Sequence, residues 1–288
     1  MSNYAARSAS GVIVILALAT VLTLPNPPLI NKKRFASPSE VTTPVVTGAF
    51  HVHTIRSDGS GTVDEIASAA DRAGLAFVIT TDHGDGTRAP DPPRYHENTL
   101  VLDGIEVSTT EGHYLAMGHQ SSPYPLGGEG RDVVEDIARL GGFGVAAHPF
   151  STKESLRWKD WTAPIDGIEW LNTDSAWRDE PIHRLVLGIL HYPIRPSEAI
   201  ASLFDRPIEA LAQWDTLTQS RRIVALAGAD AHVRPFPIPS YEKVFRSFGI
   251  RVQLEASFSG DPKKDAALLL SSIRQGRVYT AIDALAEP

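Results

Sequence analysis

The chain contains no cysteine, so disulfide bonds, thiolate nucleophiles and cysteine-based zinc sites are all excluded. Any metal ion must therefore be held by histidine and carboxylate. The chain also lacks an excess of positive charge. Its formal net charge of -7 disfavours a broad nucleic-acid-binding surface, and we expect no nucleic-acid duplex among its partners. With 42% hydrophobic and 21% charged residues among 288, the composition is that of an ordinary globular protein.

The most prominent apolar run, residues 11–24, follows Arg7 and is ended by prolines. It is shorter than the ~20 apolar residues of a comfortable membrane span and is typical of a signal-peptide core. We interpret residues 1–24 as a signal peptide or membrane anchor, 25–44 as a proline-rich linker and 45–288 as the folded domain. The protein would then be exported to the periplasm or membrane-anchored, with membrane association through residues 11–24. An uncleaved anchor with a cytoplasmic domain and a buried N-terminal helix are the alternatives.

Strand and helix signals alternate along the folded part. A buried strand is predicted at Val45–Phe50, and the capping box of Thr62 and Glu65 then starts a helix. Further strands are predicted at 75–81, 100–106, 113–117, 143–147, 167–171, 223–228, 250–254 and 277–280. Helices are predicted at 131–140 and 261–275, with an interrupted helical stretch at 175–220. Repeated strand–helix units of this size predict an irregular β/α barrel with a helical insertion before the last metal-binding strand.

Metal-type side chains follow the predicted strands again and again. His51 and His53 come after the first strand, and the period of two turns both imidazoles to one face. In a β/α barrel all carboxyl ends of the strands open on one rim, so these side chains should meet there. The pattern predicts a site for several metal ions. The same pattern continues along the chain with Asp82, His83, Glu106, His148, Asp230 and His232.

Five motifs occur in order between Thr47 and His232: His-Val-His with Ser-Asp-Gly, Thr-Asp-His, Gly-Ile-Glu, Ala-Ala-His-Pro and Gly-Ala-Asp-Ala-His. They resemble those of the PHP (polymerase and histidinol phosphatase) superfamily of metal-dependent phosphoesterases. The resemblance implies an α/β fold, a distorted (β/α)7 barrel of the PHP type. It also implies two to three divalent metal ions, which mixed imidazole and carboxylate ligands suit as Zn, Mn or Fe.

Carried over residue by residue, the resemblance implies a ligand set for each ion. The first ion would bind His51, His53, Asp230 and a bridging Glu106. The second would bind Glu106, His113 and His148, and the third would bind Asp58, His83 and His232. Asp58 is a carboxylate where some relatives use histidine. Asp82 is expected to orient ligands from outside the set, whereas His96, His183 and His191 are not expected to be ligands.

These expectations point to a metal-dependent phosphoesterase, a phosphatase or phosphodiesterase of class EC 3.1. It would act on a small phosphorylated substrate, a phosphomonoester or a nucleotide or cyclic phosphodiester. A hydroxide that bridges two ions would attack, with Glu106 and Asp230 at the centre of catalysis. The alternatives are a metal-dependent hydrolase of a non-phosphate bond, such as an amide, and a non-catalytic metal-holding binding module.

A phosphate substrate usually also needs a cation. Arg157 is the first choice among the rim loops, because it follows a ligand and adjoins Trp158. Trp158 is a candidate to stack on a base or sugar, and packing in the core or a loop is the alternative. The other candidates are Arg56, Arg88, Lys153 and Arg178. The chain ends soon after the last predicted strand, so a C-terminal element contributed from elsewhere is a further expectation.

Overall fold

The computed structural model describes residues 11, 12, 14–16, 18, 19, 43–234 and 238–285. Its strands are β1 (Val45–Phe50), β2 (Phe77–Thr80), β3 (Arg94–His96), β4 (Thr99–Asp103), β5 (Ile105–Thr109), β6 (Gly112–Met117), β7 (Phe143–Ala146), β8 (Gly167–Asn172), β9 (Val224–Gly228), β10 (Gly249–Gln253) and β11 (Val278–Ala281). Its helices are α1 (Val63–Arg72), α2 (Gly130–Arg139), α3 (Thr173–Arg178), α4 (Ile182–His191), α5 (Pro196–Ala201), α6 (Ile208–Thr218), α7 (Tyr241–Phe245) and α8 (Pro262–Arg274).

The strands form two sheets, with the orders β11-β10-β1-β2-β4-β3 and β5-β6-β7-β8-β9. Strands β1, β2 and β4 pair in parallel, as do β7, β8 and β9, whereas the other neighbours are antiparallel. Single bridges, Val52 with Ala231 and His83 with Glu106, connect the two sheets. The expected distorted (β/α)7 barrel is therefore confirmed only in part, because the described residues contain no closed sheet. The described residues form a mixed α/β fold of two sheets, because only one isolated bridge joins the sheets at each of the two places where they meet.

Gly104 separates two strands where the sequence predicts one strand at 100–106. Strand β4 belongs to the first sheet and β5 to the second. A Cβ at Gly104 would lie 2.7 Å from the Ala116 carbonyl oxygen, so only glycine permits this close approach. The Gly104 N–H still donates to the Thr80 carbonyl at 2.8 Å. Because the chain changes sheets here, Glu106 starts the second sheet directly beside the end of the first.

The helices begin where the sequence predicts. The Thr62 hydroxyl accepts a hydrogen bond from the Glu65 N–H, and the Glu65 carboxylate accepts one from the Thr62 N–H, which completes the capping box of α1. Asp261 caps α8 by accepting from the N–H groups of Lys263 and Lys264. Four helices, α3 to α6, lie between β8 and β9 and form the expected helical insertion.

Buried apolar side chains form two clusters, which we call the main core and the small core. The main core includes Phe77, Leu226 and Ile250 from the first sheet and β9. The small core lies under α2 and encloses Trp158, which is 1% exposed and donates to the Asp160 carbonyl at 2.8 Å. Of the two alternatives for Trp158, the structure shows packing in the core, because neighbouring side chains cover its ring.

None of the helices in the described part of the chain has the length and apolar character to cross a membrane. The predicted signal peptide or anchor lies mostly outside the described residues. Membrane association through residues 11–24 stays a prediction. The domain boundary at residue 45 coincides with the first residue of β1.

Candidate metal centre

The structure brings all nine predicted ligands to one end of the two sheets. His51, His53 and Asp58 follow β1, His83 follows β2, and His148 follows β7. Asp230 and His232 follow β9, so the strand-end pattern holds for these positions. Glu106 and His113 differ, because they lie near the starts of β5 and β6, which pair antiparallel. The break at Gly104 explains this difference for Glu106.

Potential ligand atoms form four overlapping groups, each with its atoms within 4.8 Å of one another. Two of the groups contain His51, and we call them the inner groups. A third group joins His83 and His113 to Glu106. The fourth, which we call the outer group, is the predicted third set together with His53. The groups are His51, His53 and Asp230; His51, Glu106 and His148; His83, Glu106 and His113; and His53, Asp58, His83 and His232.

The two oxygens of Glu106 face different partners. Oε2 lies 3.1 Å from Nε2 of both His51 and His53. Oε1 lies 2.6 Å from His113 Nδ1 and 3.1 Å from His148 Nε2. This division is what a carboxylate shared between two neighbouring cations requires. The geometry thus fits the bridging role that the family resemblance implies for Glu106, and the role itself stays a prediction.

Asp230 and Asp58 extend the centre from the inner groups to the outer group. Asp230 Oδ1 lies 3.3 Å from His51 Nε2 and 3.4 Å from His53 Nε2. Asp58 lies 3.3 Å from His53 Nδ1 and 3.2 Å from His232 Nε2. The side chain of Asp58 is 50% exposed, whereas that of Asp230 is 6% exposed. Solvent therefore reaches the outer group more easily than the inner groups.

Three histidines have Nδ1 held by an acceptor other than the carboxylate that faces Nε2. His51 Nδ1 pairs with Glu169 Oε1 at 2.8 Å, and His148 Nδ1 pairs with the Leu156 carbonyl at 3.2 Å. His232 Nδ1 pairs with the Asp230 backbone carbonyl at 3.0 Å. If Nδ1 donates in each pair, the Nε2 lone pair is available and faces the carboxylates. An acceptor on the second ring nitrogen is the usual arrangement behind metal-binding histidines.

Glu169 and Asn172, both in β8, are part of the centre that the sequence analysis did not identify. Glu169 is 1% exposed and also accepts from the His148 N–H at 2.6 Å. The Asn172 amide donates to Glu169 Oε2 at 2.8 Å and to Asp230 Oδ2 at 3.0 Å. A Cβ at Gly228 would overlap Glu169 Oε1, so this glycine makes room for the carboxylate. A lone acid in an apolar strand was the available signal, because buried carboxylates are almost always paired.

Asp82 supports the loop that carries Asp58. Its carboxylate accepts from the Thr54 N–H at 2.7 Å, the Thr54 hydroxyl at 2.8 Å and the Ser57 hydroxyl at 2.6 Å. Ser57 Oγ in turn lies 3.4 Å from His53 Nδ1. The contacts agree with the orienting role expected for Asp82, acting through the loop.

The backbone of three ligand positions is left-handed. The φ angles are +63° at His51, +27° at His148 and +43° at Asp230. Residues other than glycine rarely adopt this region, and each such residue costs about 1–2 kcal/mol. The chain leaves its strand ladder at these residues, and strained backbone of this kind concentrates at functional sites.

Close charges determine protonation in the metal-free centre. Burial lowers the pKa of His53, but hydrogen bonds to Asp230 and Glu106 outweigh it and raise the pKa to about 9. Burial also lowers the pKa of His51. The carboxylates of Asp230, Glu169 and Glu106 outweigh this effect and raise the pKa well above its usual value. Against its own burial, Glu106 has its pKa lowered well below the usual range by the neighbouring imidazoles. The imidazoles of His51 and His53 thus hold protons where cations would otherwise balance the carboxylates.

Two buried imidazole nitrogens, His53 Nε2 and His83 Nδ1, have no partner in ideal hydrogen-bond geometry among the described residues. Both face Glu106 Oε2, at 3.1 Å and 3.7 Å. Burying a polar nitrogen without a partner is unfavourable unless something else binds it. The donor set of imidazole and carboxylate, with these unpaired nitrogens, fits divalent Zn, Mn or Fe.

The predicted phosphate-binding cations lie around this end of the sheets. Arg157 is exposed, and its Nε donates to the Ser151 carbonyl at 3.1 Å. Its neighbour Leu156 contacts His148, so Arg157 lies close to the ligand loop. Arg178 binds Asp174, and this hydrogen bond raises its pKa, with a smaller contribution from Asp230. Arg56 and Arg88 are paired with Asp91 and Asp103, and Lys153 is exposed.

The remaining predicted non-ligands lie outside the four groups. His96 bonds with Ser68 at 2.8 Å, His183 is exposed on α4, and His191 is buried at the end of the same helix. Their placement agrees with the expectation that surface or packing roles explain them.

No protein-family model matches the chain. An uncharacterized protein of Methanocaldococcus jannaschii is 25% identical over 126 residues, which are 43% of this chain and 72% of that protein. A two-domain protein of Bacteroides vulgatus, containing a predicted PHP-like metal-dependent phosphoesterase, has a similar structure. The TM-score is 0.56 at 16% identity, over 85% of this chain and 67% of that one. This likeness confirms the PHP-like fold that the motifs predict.

A lesion-specific endonuclease from Pyrococcus furiosus also matches. Its TM-score is 0.46 at 16% identity, over 84% of this chain and 57% of that one. The expectation that no nucleic-acid duplex binds stays a prediction.

Proposed function

With a PHP-like fold as the premise, we propose that the chain is a metal-dependent hydrolase of phosphate esters. The observation that carries the proposal is the carboxylate of Glu106, whose two oxygens face separate sets of histidines. Divalent ions held by these groups would lower the pKa of a coordinated water and offset charge on phosphoryl oxygens. We propose two ions at the inner groups and a third at the outer group.

Residues around the candidate ligands orient the imidazoles and carboxylates for this chemistry. Glu169 and the carbonyls behind His148 and His232 hold the imidazoles in one orientation. Asn172 fixes the carboxylates of Glu169 and Asp230 relative to each other. The inner groups are closed to solvent on the core side, so a substrate would enter past the half-exposed Asp58. Arg157 and Arg178 are proposed to bind the phosphate.

The test combines metal content with turnover. The purified full chain is analysed for bound elements and then assayed on an aryl phosphate with added Mn²⁺ or Zn²⁺. We expect two to three ions per chain and metal-dependent release of phosphate. His183→Ala is the matched control, since this exposed histidine lies outside the four groups. Bound metal without turnover of any phosphate ester would contradict the proposed reaction and favour amide hydrolysis or binding.

The substrate panel separates the finer expectations. It contains phosphomonoesters, nucleotides, cyclic phosphodiesters and duplex DNA with and without an abasic lesion. The net charge of -7 predicts little binding to the duplex. Cleavage of the duplex at a rate comparable to that of small esters would overturn the expectation for partners while preserving the phosphoesterase function.

A further inference from the structure

A cavity of about 320 Å³ opens beside the inner groups. His148, Glu169 and Asn172 line the end next to the metal centre. Apolar side chains of the helical insertion line its wall, among them Leu203 and Ile208. The cavity therefore continues directly from the place of the proposed reaction into a part of the chain that the five motifs do not cover.

Glu180 lines the same cavity and follows α3 in the chain. Its side chain is 3% exposed, and Oε1 pairs with Arg184 at 2.6 Å. Its second oxygen, Oε2, is buried without a hydrogen-bond partner among the described residues. A buried carboxylate oxygen without a donor is unfavourable. Because Glu180 lines the cavity, a turn of its side chain would bring this oxygen to a donor on a molecule that enters there.

The charges around this end favour a positive group. Arg184 is shared between Glu180 and Asp205, which it contacts at 2.9 Å, so one guanidinium faces two carboxylates. Outside the metal centre, the residues lining the cavity include four acids and one arginine. They are Asp179, Glu180, Asp205, Glu209 and Arg206. A second anionic group on the ligand would meet repulsion at the acidic end.

The distance between the two ends follows from the helix that joins them. Asn172 caps α3, and Glu180 lies just beyond its end. At 1.5 Å per residue, the eight steps between them span about 12 Å. A ligand that reaches both ends must therefore be extended, with a middle part that contacts the apolar wall.

We propose that this cavity receives the leaving group of the substrate and that Glu180 selects an alcohol with an ammonium group at its far end. The inference rests on the proposed phosphoesterase function. The substrate class is then a phosphate ester of an extended amino alcohol with an apolar middle. Glu180 is a specificity residue in this assignment, and it has no part in the bond-breaking step.

Paired substrates test the proposal in the wild-type chain. Aminohexyl phosphate is compared with heptyl phosphate, in which a methyl group replaces the amine, and with a carboxyhexyl phosphate. We expect kcat/KM to favour the amine over the methyl by roughly tenfold, as for one charge-assisted hydrogen bond. The carboxylate should be the poorest of the three. Equal kcat/KM for the amine and the methyl would overturn the proposal without any variant.

Glu180→Gln then locates the effect, because it keeps the shape of the side chain and removes its charge. The preference for the amine should fall to about twofold or less. Asp215→Asn on α6 is the matched control, since Asp215 is exposed and does not line the cavity. A preference that survives in Glu180→Gln, or that is lost equally in Asp215→Asn, would contradict the role of Glu180. Circular dichroism checks that the variants are folded.

Binding without turnover separates this proposal from the proposed function. Aminohexyl and heptyl phosphonates, which are not hydrolysed, are titrated calorimetrically into the metal-loaded full chain. Tighter binding of the amine that depends on Glu180 supports the cavity assignment even if no ester is cleaved. Cleavage of aryl phosphate together with equal or absent binding of the two phosphonates would overturn the cavity assignment and leave the proposed function standing.

Discussion

The inner and outer groups use the same residue types in different surroundings. His51 and Glu106 are 0% and 1% exposed, and Glu169 and Asn172 support the inner ligands from behind. In the outer group, the side chains of Asp58 and His83 are 50% and 34% exposed. Burial and outer hydrogen bonds restrict ligand motion, so the inner groups are the more preorganised. The comparison indicates a retained inner pair of ions and an exchangeable outer ion.

Substitution of the shared carboxylate is the most severe way to break the inner groups. Glu106→Gln keeps the shape of the side chain but removes the charge that four histidines contact. We expect loss of the inner ions and a fall in kcat by about a thousandfold. Elemental analysis and the aryl phosphate assay measure both effects. Retention of full inner metal content in this variant would contradict the bridging role.

Glu169→Gln tests whether the support behind the inner ligands matters. The amide can still accept from the His148 N–H, but it holds His51 less strongly. A fall in inner metal affinity of about 10–100-fold is expected, because outer partners of ligating histidines have effects of this size. Competition with a fluorescent chelator measures the affinity. An unchanged inner affinity would mean that Glu169 only fills space beside Gly228.

The pH dependence of metal binding tests whether the ligand His53 is protonated before an ion binds. The pKa of His53 in the metal-free chain is about 9, raised by hydrogen bonds to Asp230 and Glu106 against burial. The imidazole therefore holds a proton at pH 7, and a metal ion must displace it. Affinity should rise by up to about tenfold per pH unit for each displaced proton and level off above about pH 9.

Calorimetry in buffers of different ionisation enthalpy counts the released protons. The same high pKa has an opposite consequence for the metal-free fold. Protonated His53 contributes stability below about pH 6.5, and this contribution is lost as the pH rises through about 9. In the calorimetry, metal binding at pH 7 without proton release would contradict the protonated state of His53 in the metal-free chain.

Asp58→Asn is the mildest change, since it alters only the outer group. The variant should lose the outer ion at about fivefold higher metal concentration than the wild type and keep its inner ions. Elemental analysis after stepwise dialysis measures this difference. Equal loss of inner and outer ions would remove the distinction between the two regions.

The sequence predicted which side chains lie together at the candidate centre better than the frame that holds them. Residue type and position after a strand identify His51, His83, His148 and Asp230, because strand ends in parallel sheets share one edge. The break at Gly104 was not predictable, since it depends on the Ala116 carbonyl of a later strand. The two open sheets follow from such long-range contacts and not from local periodicity.

The missed residues have a similar explanation. Glu169 lies inside a strand, and its role depends on His51, which is 118 positions away in the chain. For Trp158 the sequence left stacking on a substrate and core packing open, because the small core that covers the ring comes from α2 and β6. Local patterns specify chemistry at single positions, and burial is decided by partners distant in sequence.

The left-handed backbone at His51, His148 and Asp230 has a consequence for how this fold can change. Glycine at any of these positions would relax the backbone by about 1–2 kcal/mol while deleting a ligand. At His51 this relief is smaller than the cost of leaving the buried carboxylates of Glu106 and Glu169 without their imidazole partner. The charges of the centre therefore hold its backbone in the strained conformation even when no ion is bound.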